Sequence, residues 1–161
     1  MQIDWGVINA SPLIVLFKSG QVNLLPQLFD IIIVPNAVYR EVTASKSDVA
    51  ALQLPAATWV NRIDVEINSA IAAWDLGIGE SAVLSFALAN PGYRAMVDDA
   101  AARRCARSLS IPTLGTGGAL VLAKKRGLIS TITKPLQALQ DAGLWISADV
   151  VNLLKKQAEE S

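Results

Sequence analysis

The chain has 161 residues, 52% of them hydrophobic and 17% charged, which suits one domain with a substantial core and excludes a charge-rich disordered segment. Its 14 basic and 14 acidic residues cancel, so a general attraction to nucleic acid is absent and any such binding needs a local basic patch. Histidine is missing altogether, which removes the commonest general base and the usual zinc ligand and leaves acid–base or metal chemistry to carboxylates.

Gly6 to Ala10 (GVINA) is short, apolar and strand-like. Ser11-Pro12 then reads as the N-cap and first position of a helix over Leu13 to Lys18 that stops near Gly20. Gln21 to Phe29 suggests a second short helix limited by Pro26. Ile31 to Val34 is a continuous apolar run, as in a strand buried on both faces, and Pro35 opens a helix over Asn36 to Ala44. Ser47 to Leu52 allows a helical turn or two, Trp59 to Ile63 alternates like an edge strand, and Val65 to Trp74 reads mostly as loop.

Gly77 and Gly79 introduce a helix over Glu80 to Ala89, and Pro91-Gly92 turns into a strand over Arg94 to Val97. Helix Ala100 to Ser108, strand Ile111 to Leu114 and helix Ala119 to Arg126 follow. Pro135 starts a helix that Gly143 stops, and Ser147 caps the last one. Short apolar strands alternating with helices imply an α/β protein: a three-layer α/β/α sandwich on a mainly parallel sheet. The expected organisation is one domain over 1–161, with the C-terminal helices of 135–160 packing across it as an appendage. Cys105 stands alone and cannot form an internal disulfide, no basic leader precedes Asp4, and no apolar run reaches spanning length. The expected setting is therefore cytoplasmic, away from any membrane.

Parallel strands present their carboxyl ends to one side, where ligands of open α/β sheets collect. Asn9 closes the first strand, and Asp98 with Asp99 closes the fourth. Glu80 opens the central helix, and Glu41 sits three residues after Val38 on the flank of that helix's apolar stripe. Clustered carboxylates raise one another's pKa unless a cation neutralises them. With an amide oxygen they make a shell for Mg²⁺ or Mn²⁺, able to support hydrolysis of a phosphodiester. Arg94, Arg103, Arg104, Arg107, Lys124, Lys125 and Arg126 are candidates for phosphate contacts. Each residue also has a plain structural role open to it. Glu80 complements a helix dipole, Glu41 is a solvated helix residue, Asp98-Asp99 is an N-cap and its neighbour, and Ser11 is a cap. Gly115-Thr116-Gly117-Gly118 lacks the lysine of a phosphate-binding P-loop and reads as structural, and Cys105 as packed and inert.

In order and spacing, VINASPLIVLFKSGQVNLLPQLF, IIIVPNAVYREV, LGIGESAVLSFALA and AMVDDAAARRCARSLSIPTLGTGGALVLAKKRGLI resemble the PIN domain, the nuclease fold of VapC-type toxins. The closest similarity is to stand-alone PIN-like proteins. The resemblance implies a carboxylate site for Mg²⁺ or Mn²⁺, endoribonuclease activity on RNA, and a homodimer neutralised by an antitoxin. Residue by residue, it puts Asn9 at the first acidic position and Glu41 at the second. Glu80 falls at the acid of the central helix, and Asp98 or Asp99 at the acid after the fourth strand. Ser11 and Thr116 match small hydroxyl positions near the site, and Arg103 and Arg104 stand as substrate contacts. Asn9 departs from the family's aspartate, which opens a second reading: a PIN-like module that binds RNA or a protein without cutting. A response-regulator receiver domain fits less well, since its acidic pair belongs after the first strand, where this chain has Val7-Ile8-Asn9.

Overall fold

The computed structural model describes residues 4–45 and 48–160. Five strands, β1 (Trp5–Ile8), β2 (Ile31–Pro35), β3 (Val60–Ile63), β4 (Tyr93–Met96) and β5 (Thr113–Leu114), form one sheet in the order β3-β2-β1-β4-β5. Every pairing is parallel. Val7, Ile8, Val34, Ala95 and Met96 are fully buried, because these central strands carry helices on both faces and leave no side of the pleat for water. The edge strand β3 accordingly exposes Asn61 and Arg62.

Ten helices surround the sheet among the described residues: α1 (Ala10–Lys18), α2 (Leu24–Leu28), α3 (Asn36–Thr43), α4 (Val49–Gln53), α5 (Ser69–Ala72), α6 (Ile78–Ala89), α7 (Ala100–Ser108), α8 (Thr116–Lys125), α9 (Thr133–Asp141) and α10 (Ala148–Gln157). Helices α1, α3, α4 and α6 pack among themselves, and α8 gathers α2, α9 and α10 into a second set. The result is the expected α/β/α sandwich.

Several local expectations change. Helix α1 begins at Ala10 with Asn9 in the cap position, so Ser11 lies inside the first turn and caps nothing. Pro12 follows it there, where a missing N–H costs no hydrogen bond. Pro26 likewise sits in the first turn of α2 instead of limiting a longer helix. The stretch that reads mostly as loop contains α5, which Asn68 caps by accepting a 2.8 Å hydrogen bond from the Ala70 N–H. Helix α6 opens at Ile78, two residues ahead of the expected Glu80. Helix α8 opens at Thr116, so Thr116-Gly117-Gly118 form its first turn instead of a loop, and β5 shrinks to Thr113–Leu114. Gly117 is needed there for closeness: a Cβ would come within 2.6 Å of Leu154 Cδ1 on α10. Ser47, at the start of an expected helical turn, lies outside the described residues; the described part of that turn is α4.

Two charge clusters fasten the periphery. Asp4 is ion-paired with Arg126 and lies 4.0 Å from Arg94, at the amino-terminal edge of the sheet. Glu160 accepts from the Ile132 N–H at 2.8 Å, from the hydroxyls of Thr131 and Thr133, and from Lys124 Nζ at 2.9 Å. These hydrogen bonds, those of Thr131 and Lys124 foremost, hold its carboxyl far below the ordinary 4.5. A folded-state pKa below the unfolded one adds stability above the unfolded value and loses it as pH falls toward the folded one. Glu160→Gln therefore lowers the melting temperature by a constant amount at neutral pH. In thermal melts from pH 7 to pH 3, the gap from wild type narrows once pH drops below about 4.5.

Candidate active site

The chain runs from β1 outward to β2 and β3, then crosses back to β4 and β5. The sheet therefore reverses direction between β1 and β4, the switch point at which open α/β folds leave a crevice past the strand ends. Ile8 stands in register with Met96, and the Asn9 N–H donates to the Met96 carbonyl at 3.1 Å. Asn9 and Asp98 consequently leave the sheet side by side. A hollow of about 380 Å³ opens there, lined by Asn9, Ser11, Glu41, Gly77, Glu80, Asp98 and Asp99. Side chains from position 9 to position 99 of the chain thus share one concavity, and none of its lining residues is basic.

Each acid reaches the hollow by a different device. Glu80 projects from the first turn of α6, where its charge complements the helix dipole. Glu41 comes from the exposed side of α3, which packs against α6. Gly79 lies between them: a Cβ on it would stand 3.5 Å from both Asn9 Oδ1 and Glu41 Oε1, in ordinary contact with each. A larger side chain would project into the space between these two oxygens.

Asp98 and Asp99 have separate duties. Asp98 accepts from the Thr116 N–H at 2.8 Å and from its hydroxyl at 2.6 Å, which ties the end of β4 to the start of α8. Asp99 caps α7 by accepting from the Ala102 N–H at 3.0 Å, and it faces Glu80. Burial first, then the Asp99 carboxylate and more weakly Glu41, hold the Glu80 carboxyl above its ordinary 4.5, while the Gly77 backbone pulls it the other way.

Two oxygens in the hollow, Asn9 Oδ1 and Glu80 Oε2, are buried with no hydrogen-bond partner. Buried polar atoms are nearly always satisfied, and one left alone costs about 1–3 kcal/mol. Oxygen donors with unused lone pairs beside like-charged carboxylates are the chemistry a hard divalent cation satisfies. Among the described residues no three carboxylates stand close enough to grip an ion by themselves. A hard cation here would need the Asn9 amide oxygen and water as well as the carboxylates.

The remaining candidates divide. Ser11 lines the hollow, and the buried Thr116 reaches it only through Asp98. Arg103 donates to the Val97 carbonyl at 3.3 Å and lies beside Asp98, both close to Gly115. Arg104 and Arg107 are exposed farther along α7. Arg94, Arg126 and Lys124 are engaged by Asp4 and Glu160, so the expected phosphate-binding group of seven cations is dispersed. Burial raises the Cys105 thiol pKa, in keeping with an inert packed side chain. Gly79, which its sequence context suggests only as a helix introducer, also lies against Asn9 and Glu41 at the hollow.

A parallel sheet of this order, with carboxylates collected at its switch point, defines a protein of the open α/β class whose site lies past the strand ends. The chain belongs to the PIN domain family, whose model matches residues 6–160. That family has a nuclease fold, and its members are associated with nucleic acid. No curated protein matches the chain. No helix of the described residues is long and apolar enough to cross a membrane.

The tie between Asp98 and Thr116 can be weighed directly. Thr116→Val keeps the shape and the backbone bond but removes a hydroxyl donated to a carboxylate. It should lower stability by about 2 kcal/mol in urea unfolding, whereas Thr116→Ser stays much closer to wild type. Equal stability of the valine variant would mean that this hydroxyl does not hold the strand end.

Proposed function

We propose that the protein is a metal-dependent endoribonuclease of the toxin type, hydrolysing RNA phosphodiester bonds in the hollow between β1 and β4. The observation that carries this reading is the pair of buried, unpartnered oxygens, Asn9 Oδ1 and Glu80 Oε2, in a hollow walled by Glu41, Asp98 and Asp99.

Glu80, Asp99 and Asn9 would hold Mg²⁺ or Mn²⁺, with Asp98 kept in place behind them by Thr116. The cation would supply charge for the phosphorane-like transition state and a more acidic water. Glu41 approaches from α3, across the hollow from β4, where its free carboxylate can accept a proton from the attacking water and aim it at phosphorus. Ser11, on the exposed first turn of α1, can donate to a phosphate oxygen, and Arg103 stands at the Asp98 side to receive the neighbouring phosphate. The resemblance to toxins supports a homodimer held in check by an antitoxin protein; a small DNA-binding protein encoded next to this chain would strengthen that part of the reading.

Incubation of the purified protein with RNA and Mn²⁺ tests the site. Glu80→Gln and Asp99→Asn should each slow cleavage by about a hundredfold or more. The second substitution is informative because asparagine caps a helix as well as aspartate does, so only the charge is lost. Undiminished cleavage by both variants would put the reaction elsewhere.

Asn9 favours a second reading, in which the fold binds RNA or protein without cutting it. An amide oxygen can ligate a cation but brings no charge to hold it. Calorimetric titration of Mn²⁺ separates the two. Under the nuclease reading wild type binds the ion and Asn9→Asp binds it more tightly. If only the aspartate variant binds, the site in this chain is degenerate.

A further inference from the structure

The two edges of the sheet differ. β5 closes one side with only Thr113–Leu114, too short to template another strand. β3 closes the other with Val60–Ile63, and the chain runs on without helix to Asn68. Asn61, Arg62, Asp64 and Glu66 along it are exposed, so this edge meets solvent. An open edge is a row of unpaired backbone groups, which proteins ordinarily blunt with charged side chains, proline or a bulge. Here the blunting charges have opposite signs and flank one residue, in the order Arg62, Ile63, Asp64. Asn36, the first residue of α3, fixes both. Its amide oxygen accepts from Arg62 Nε, and its amide nitrogen donates to Asp64 Oδ1. The Arg62 guanidinium also lies over the Tyr39 ring, 4.0 Å from its centroid. Both charges therefore stand on the α3 face of the edge. Among the described residues the terminal nitrogens of Arg62 and Asp64 Oδ2 find no hydrogen-bond partner in the chain.

We infer that β3 pairs antiparallel with β3 of a second copy of this chain, about a two-fold axis through Ile63, and so joins the two sheets into one. Charge complementarity selects the occupant. That axis sets Arg62 of each copy directly opposite Asp64 of the other and on the same face, where opposed Cβ atoms lie about 4.5–5.5 Å apart. The contact is isologous, so the ion pair forms twice. Asn36 has already oriented its members, which leaves little side-chain freedom to lose on association. The charges also fix the register: moving the axis one residue either way sets Arg62 against Arg62 or Asp64 against Asp64. Carried on toward Asn68, the same register brings Ile67, exposed by 37%, opposite the half-buried Trp59 of the second copy, an apolar pair on the other face. A partner of different sequence would have to repeat this alternation, whereas a second copy supplies it. The inference gives the homodimer a surface and does not rest on the chemistry of the hollow.

Sedimentation equilibrium of the full chain tests it, with Arg62→Asp, Asp64→Arg and the double exchange Arg62→Asp/Asp64→Arg beside wild type. Wild type should be dimeric. Each single variant sets like charges against one another at both positions and should dimerise at least about tenfold more weakly. The double exchange should recover the dimer. So should an equimolar mixture of the two single variants, because their heterodimer again opposes aspartate and arginine at both positions. Recovery on mixing is a result that a purely local role for Arg62 or Asp64, through Asn36 or Tyr39, cannot produce. A monomeric wild type, single variants that dimerise as tightly as wild type, or a mixture that stays monomeric overturns the proposal.

Discussion

The constraint beneath the structure is repulsion. Glu41, Glu80, Asp98 and Asp99 share one hollow with no basic residue among its walls, and like charges brought together out of bulk water raise the energy of the folded chain. Three of the four acids are held there by local interactions, and the fourth stays in solvent. Asp98 is bound twice by Thr116, Asp99 caps a helix, and Glu80 sits at the positive end of α6. Glu41 stays largely in water. The elements that bring them together, β1, β4, α3 and α6, are held by a core whose largest side chains are fully buried. Packing is thus what keeps the charges close, and Glu80 registers it: burial and the Asp99 carboxylate push its carboxyl up.

The distribution of basic residues follows the same logic in reverse. A neutral chain with 14 cations could have neutralised the hollow directly. Instead Arg94 and Arg126 are drawn to Asp4 at the opposite edge of the sheet, and Lys124 to Glu160. Each of those pairs fastens a terminus of the domain to its body. Among the described residues only Arg103 remains beside the acids, and it donates to the Val97 carbonyl. The walls of the hollow supply no positive charge of their own, which says more about its chemistry than the net charge of zero does.

Much of this is legible in the residues, and the limits have physical causes. Strands β1, β2 and β4 stand out because a short apolar run bounded by turn residues is too brief for a helix and too greasy for a loop. Asn9, Glu41, Glu80, Asp98 and Asp99 can be brought to one edge on paper because parallel topology fixes where carboxyl ends point. Local capping chemistry is less reliable. Ser11-Pro12 has the composition of a helix start, yet the chain already turns at Asn9 because the Asn9 N–H is held by Met96. Thr116-Gly117-Gly118 has the composition of a loop because glycine weakens helices, whereas Gly117 is required by the approach of Leu154 from the last helix of the chain. Proximity in sequence groups the cations, but it carries no information about direction. Arg103 and Arg126 differ by which end of the sheet they reach, and only the packing decides that.

Asn9 shows why an unused hydrogen bond can say more than a made one. It stands at the N-cap of α1 with extended backbone angles, φ −81° and ψ 168°, the conformation from which asparagine ordinarily accepts a bond from the second or third N–H of the helix. It makes no such bond. Its oxygen lies buried and without a partner, 3.5 Å from where a Cβ on Gly79 would stand, in the same hollow as the equally unpartnered Glu80 Oε2. A purely structural asparagine would gain about 1 kcal/mol by turning to cap its helix. One that forgoes that bond leaves a buried acceptor facing the hollow, the observation on which the proposed cation site rests. An amide at this position also spares the cluster a fifth negative charge, which lowers the cost of assembling the hollow.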